Sequence, residues 1–169
     1  AIIAVRGLGM AEAEALLRQA LARQDAYRIQ ATGARLVGEL RIVALMDPLA
    51  DLLVSDAVVP AVKTEAASAL RELRDQLDVA ALTEQMTSED KNIQRRAIKL
   101  LGLHGGREAV DALVDLLKAE DPFVRHRAVF ALGDAGDPRA LPALEFLLKT
   151  ETDTRLREQI ERTLRKLRP

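Results

Sequence analysis

The stretch Asp121–Lys149, DPFVRHRAVFALGDAGDPRALPALEFLLK, reads as two short helices joined by a tight glycine turn. Asp121 is placed to cap the first helix, its side-chain oxygen accepting an orphan backbone N–H, and Pro122 fits the first helical position, where no donor is needed. Val124, Ala128, Ala131 and Leu132 follow at helical spacing and form one apolar stripe, while Arg125 and Arg127 point elsewhere. Gly133 and Gly136 are read as the helix end, because glycine takes the left-handed conformation without a Cβ penalty. Asp137 and Pro138 repeat the start signal, and Leu141, Leu144, Leu147 and Leu148 give the second helix its own stripe. Pro142 lacks an N–H, so the second helix either kinks there or begins a turn later.

Shifting this unit back by about 31 residues superposes it on Asp90–Lys118. Ile93 falls on Val124, Ala97 on Ala128, Leu101 on Leu132, Gly102 on Gly133, Gly105 on Gly136, and Leu113, Leu116 and Leu117 on Leu144, Leu147 and Leu148. A second shift puts Val62, Lys63, Ala66, Leu70, Asp75 and Leu82 on Val124, Arg125, Ala128, Leu132, Asp137 and Leu144, with Arg71 and Arg74 in place of the glycines. Fixed-period self-similarity marks a solenoid, in which each helix pair buries its apolar face only by stacking on its neighbours. The expected fold is therefore all-α, a right-handed α-solenoid of about five helix pairs.

Extending the register gives one repeat domain over 1–169, with units at about 1–24 (partial), 25–56, 57–87, 88–119, 120–151 and 152–169 (partial), read as a piece of a larger chain. Ala1–Leu8 is expected to be half of a first helix, with Gly7 and Gly9 at its turn. The apolar run Ala1–Val5 is expected to pack against a preceding domain or a partner. Asp25–Leu40 is the next first helix, with Ile29, Gly33, Val37 and Gly38 on Val124, Ala128, Leu132 and Gly133. Gly33 then stands where a small residue lets helices approach closely. Ile42–Leu53 is its partner helix, interrupted by Pro48, and Asp153–Leu167 is the final helix, reached through a one-residue insertion.

Composition narrows the function classes. Hydrophobic residues make up 49% and charged residues 30%, as in an ordered protein, but aromatics are only 2%: Tyr27, Phe123, Phe130 and Phe146. That leaves little material for a base-stacking platform or an aromatic ligand cage. A net charge of −1 exerts no overall pull on nucleic acid or an anionic membrane. The absence of cysteine excludes disulfides and thiolate chemistry and fits a reducing, cytoplasmic setting. No apolar run is long enough to insert into a membrane.

The signature Asp-x-x-Val-Arg-x-x-Ala-x-x-x-Leu-Gly-x-x-Gly-Asp, from Asp121 to Asp137, resembles bacterial HEAT-like repeats of the phycobilisome-lyase type. The resemblance is strong over Asp90–Leu148 and weak before Ala57. It implies the solenoid fold, but such repeats serve bilin lyases, iron hydroxylases, DNA glycosylases and scaffolds, so it leaves function open. The hydroxylase relatives carry His-Glu pairs as iron ligands, whereas here His104 is followed by Gly105 and His126 by Arg127. The glycosylase relatives bind DNA on a basic concave surface that these second helices do not supply.

The resemblance implies that second helices line the concave face. They carry Asp78, Glu84, Glu108, Asp111, Asp115 and Glu145, while the first helices are richer in base. Those six acids are the candidate partner-binding set. Lys63, Arg125 and Arg157 recur at one repeat position and are expected to form a structural ladder with turn and cap carboxylates such as Asp121, Asp134 and Asp137. His104 is read as an exposed residue of the Gly102–Gly106 turn. With no catalytic constellation, no metal set and no cofactor motif, the expected function is a non-enzymatic scaffold that binds a protein or a neighbouring domain of its own chain. The alternatives are nucleic-acid binding through Arg95, Arg96, Lys99, Arg125 and Arg157, and a bilin-lyase-like accessory role.

Overall fold

The start signals act where they are written. In the computed structural model, which describes residues 8–168, five aspartates accept backbone N–H bonds at the beginning of a helix or turn. Among the described residues there are ten α-helices and no strand. They are α1 (Met10–Leu21), α2 (Tyr27–Glu39), α3 (Met46–Val54), α4 (Pro60–Glu72), α5 (Val79–Gln85), α6 (Lys91–His104), α7 (Arg107–Leu116), α8 (Pro122–Ala135), α9 (Leu141–Thr150) and α10 (Thr154–Leu167). The helices alternate between first-type (α2, α4, α6, α8, α10) and second-type (α1, α3, α5, α7, α9), as the repeat requires. The expected half-helix Ala1–Leu8 and the docking of Ala1–Val5 lie outside the described residues, apart from Leu8.

Asp121 shows how the caps work. Its carboxylate accepts from the Phe123 N–H at 2.8 Å, directly ahead of Pro122. Asp121→Ala is expected to cost about 1 kcal/mol, read as a fall of a few degrees in the unfolding midpoint, because it removes a cap and leaves the helix otherwise intact.

Both prolines in the second-type helices act by delaying the start. Before Pro142 the chain makes a 3-10 turn over Pro138–Ala140, and α9 begins at Leu141. Before Pro48 it makes another over Val43–Leu45, so that Pro48 sits in the first turn of α3 rather than interrupting a helix from Ile42. An early proline gives up only a donor that has no intrahelical partner anyway.

The glycine pairs divide their labour, which corrects the reading of both as helix ends. Gly105 and Gly136 close α6 and α8 with φ of 65° and 70°. Gly102 and Gly133 lie inside those helices and face the next first-type helix. A Cβ on Gly102 would fall 2.8 Å from the Ala131 carbonyl oxygen and 2.9 Å from its Cα. Gly38 stands in the same way over Ala69, where a Cβ would come within 2.8 Å of the Cα.

The chain forms two compact units, residues 1–76 and 77–169. In the first, α2 packs on α4, with α1 against α2 and α3 against α4. Its core is built from Leu17, Val37, Leu45, Leu49, Leu70 and Leu73. In the second, α6, α8 and α10 stack in sequence, and α5, α7 and α9 each pack beside the first-type helix that follows them. Ile98, Leu101, Leu113, Leu132, Leu144 and Ile160 are fully buried there.

Candidate partner-binding face

The six candidate acids belong to the second unit, on α5, α7 and α9 or at their caps, and all are exposed. Asp78 also caps α5, accepting from the Ala81 N–H at 3.0 Å. Glu108 sits in the first turn of α7, where the helix dipole favours a negative charge. Asp111 lies 3.9 Å from Arg107, and Asp115 lies 2.8 Å from Lys118. Glu145 accepts from Arg168 at 2.9 Å. The Asp111 charge also reaches Arg139, whose own pKa is raised first by its hydrogen bond to Asp137. The face is therefore acidic with basic residues interleaved. Exposed pairs of this kind hold by about 0 to 1 kcal/mol, so a partner's cations can displace them.

Register adds a residue that the charge reading passed over. Glu84, Asp115 and Phe146 occupy the same repeat position on α5, α7 and α9, and Phe146 is 69% exposed. Its displacement from the Leu144, Leu147 and Leu148 stripe was the available signal.

The proposed ladder is built differently from the expectation. Arg125 donates through Nε to Glu151 at 2.9 Å and to the carbonyls of Ala119 and Glu120 at 2.8 Å. Arg157 donates to the carbonyls of Leu148 at 2.6 Å and Glu151 at 3.0 Å. Side chains tilt toward a helix's N-terminus, which brings both arginines to the carbonyl-rich end of the preceding second-type helix. The carboxylates named for them are engaged elsewhere: Asp121 in its cap, Asp137 with Arg139, and Asp134 with Lys99 and Lys166. Lys63 is half-buried on α4.

Glu151 is the residue at this node that the sequence reading missed. Its side chain is 5% exposed, and the Arg125 side chain 18%. Burial pushes its pKa up, but the Asp153 N–H, the Arg125 hydrogen bond and charge, and the Thr152 N–H outweigh that, and the net shift is downward. Glu89, Glu120 and Glu151 recur at the repeat interval, so the position was visible in the sequence even though its burial was not.

The same contacts bear on the basic first-helix surface. Arg125 and Arg157 spend their donors on chain carbonyls, Lys99 is paired with Asp134, and Arg95 and Arg96 are half-buried. His104 is the last residue of α6 rather than a loop residue, and its Nδ1 accepts from the Gly106 N–H at 3.1 Å. His126 meets Phe130 edge-on, with ring centroids 4.9 Å apart. Its pKa is lowered, chiefly by burial; Asp153 opposes the shift, while Arg127 and Arg162 add to it. Among the described residues, no three His, Asp or Glu side chains gather as a ligand set for a metal. No helix there is long and apolar enough to cross a membrane.

The chain belongs to the HEAT-repeat family, whose profile matches residues 79–165. A designed armadillo repeat protein in complex with the peptide (KR)4 superposes with a TM-score of 0.50 at 14% identity, covering 99% of this chain and 98% of its own. The structure of the CpcE–CpcF complex of phycocyanin lyase from Nostoc gives 0.49 at 21% identity over 90% of this chain. Human deoxyhypusine hydroxylase gives 0.49 at 22% identity, covering 99% of this chain and 78% of its own. The chain spans 64% of the length of the phycocyanin lyase chain. A search of curated proteins finds no match. The family match and the likeness to the armadillo repeat protein establish an α-solenoid of helical repeats.

Proposed function

We propose that this chain is a non-enzymatic interaction module, located in the cytoplasm, whose second-type helices in the second unit bind a basic, extended segment of a protein or of a neighbouring domain. One observation carries the reading: Glu84, Glu108, Asp111, Asp115 and Glu145 all stand exposed on successive second-type helices of a single unit. Solenoids act through extended faces of this kind, and opposite charge steers a partner onto them. The exposed ring of Phe146 continues the column of Glu84 and Asp115 and offers a face for an arginine or an apolar side chain. A peptide of alternating lysine and arginine bound to a designed repeat protein fits the same fold class. Nucleic acid fits less well, since Arg125 and Arg157 donate to carbonyls of their own chain, which competes with binding phosphates.

Calorimetric titration with the peptide (Lys-Arg)4 at low salt tests the reading. Binding is expected on the order of 10 µM, weakened about tenfold or more by Asp111→Lys with Asp115→Lys and by added salt. Equal binding by the wild-type and doubly substituted chains would refute the assignment of the face. Preferential binding of duplex DNA, lost when Arg95 and Arg96 are replaced, would favour the basic surface instead.

A further inference from the structure

We propose that the cleft where α1 and α3 end and α2 and α4 begin, in the first unit, binds a guanidinium group. This site is independent of the acidic face on the second unit. The internal repeat supplies the argument. The residue after the one that opens each first-type stripe is Gln30 on α2, Lys63 on α4, Gln94 on α6, Arg125 on α8 and Arg157 on α10. On the last four of these helices a cation serves that position: Lys63, Arg125 and Arg157 are the cations themselves, and Lys91 reaches the Gln94 Oε1 at 3.5 Å. Gln30 is the exception. It is 4% exposed, and its Nε2 donates to the Leu21 carbonyl at 2.7 Å. Among the described residues nothing donates to its Oε1. Tyr27 stands in the place of Lys91, and the adjacent Arg28 gives its Nε to the Tyr27 hydroxyl at 3.3 Å.

The other half of the ion pair is replaced as well. In the second unit Arg125 meets Glu151, which lies five residues ahead of Leu156, the opening of the α10 stripe. Five residues ahead of Val62, the opening of the α4 stripe, stands Ala57. A glutamine and an alanine take up less space than an arginine and a glutamate, and between them lies a cleft of about 380 Å³ lined by both. That is enough room for a small ligand. Leu52 and Val58 supply apolar walls, Leu21 stands at the carbonyl-rich end of α1, and Asp51 brings a carboxylate. A guanidinium suits this set because it is flat, carries five N–H donors and is more weakly hydrated than an ammonium. It can donate to the Gln30 oxygen and to carbonyls while its stem lies on the apolar walls. Arg157 shows the same chemistry in the second unit, donating to the Leu148 carbonyl nine residues before it, as Gln30 donates to that of Leu21.

The group can arrive on a small molecule or as the arginine side chain of a partner, and two probes separate these sources: n-propylguanidine and the peptide acetyl-Gly-Arg-Gly-amide. Amide chemical shifts of the full isotope-labelled chain are expected to show saturable binding of n-propylguanidine on the order of 1 mM, with the changes concentrated on residues 21–30 and 51–59. n-Propylammonium, with the same charge and stem, is expected to bind at least about fivefold more weakly. Gln30→Arg fills the cleft with the chain's own guanidinium and is expected to abolish binding. Ala57→Leu, at an exposed position, is expected to weaken it about tenfold, both variants being checked for unchanged helicity. Tighter binding of the peptide assigns the group to a partner's arginine, and tighter binding of n-propylguanidine assigns it to a small molecule. Absence of saturable binding by either probe, equal binding of the ammonium, or binding untouched by both substitutions would overturn the proposal. So would preferential binding of propionate, which would give the cleft to an anion at the starts of α2 and α4.

Discussion

Gly102→Ala is expected to destabilise the second unit by about 2 kcal/mol, whereas Gly133→Ala, at the same repeat position one helix later, is expected to be neutral or stabilising by up to about 1 kcal/mol. The two glycines face different neighbours. A Cβ on Gly102 meets the carbonyl oxygen and Cα of Ala131 at 2.8 and 2.9 Å, so backbone must give way and α6 must lift from α8. A Cβ on Gly133 meets only Thr163, at 3.4 Å from its side-chain methyl and hydroxyl, at the edge of ordinary contact. There the ordinary gain of replacing glycine within a helix is free to appear. Denaturant unfolding of both variants checks the sign as well as the size. Equal stabilisation would mean that helix propensity, rather than close approach, decides the outcome at both positions.

Glu151→Gln is expected to lower stability by about 3 kcal/mol and the unfolding midpoint by about 10 °C. The substitution keeps the shape of the side chain and removes its charge. Arg125, only 18% exposed in its side chain, then loses the carboxylate that balances it. That remaining exposure places the cost at the low end of the range for broken buried pairs. Arg125→Met combined with Glu151→Leu is expected to recover much of the loss, because it removes both charges.

The acid dependence follows from the direction of the Glu151 shift. Its pKa in the folded chain lies below the ordinary carboxylate value of 4.5, so the charged pair contributes fully above that value. The contribution disappears as pH falls through the folded-state pKa. The stability difference between wild type and Glu151→Gln should therefore be constant near neutrality and close in acid. A difference that widened on acidification would contradict the assignment.

The fold was legible because its signals are local and repeated. Asp90, Asp121 and Asp153 cap helices where the sequence places them, and Val124, Leu132 and Leu144 are buried as their spacing predicts. What the sequence concealed depends on contacts between helices. Gly102 and Gly133 look like turn residues because each stands three positions before a true helix end, and only the approach of the next helix shows their purpose. The partner of Arg125 was misjudged for a similar reason. Asp121, Asp134 and Asp137 lie closer in sequence, whereas Glu151, 26 residues away, is brought to Arg125 by the packing of α8 beside the α9–α10 connection. The chain divides into its two units within the 57–87 repeat, between α4 and α5. That is the repeat in which Arg71 and Arg74 replace the glycines, so a trace of the division was present in the sequence. The acidic residues of the second-type helices and the bases Arg107, Lys118 and Arg139 among them are legible by register, but the pairing of Glu145 with Arg168 is not, since Arg168 comes from the end of α10.

Mapping a basic peptide onto the isotope-labelled chain by amide chemical-shift perturbation tests the central claim most directly. On addition of (Lys-Arg)4, the shifts are predicted to concentrate on α5, α7 and α9, around Glu84, Asp111, Asp115 and Phe146, with the first-type helices nearly unchanged. Perturbations centred on α6, α8 and α10, or spread evenly over both units, would contradict the assignment of the second-type helices as the binding face.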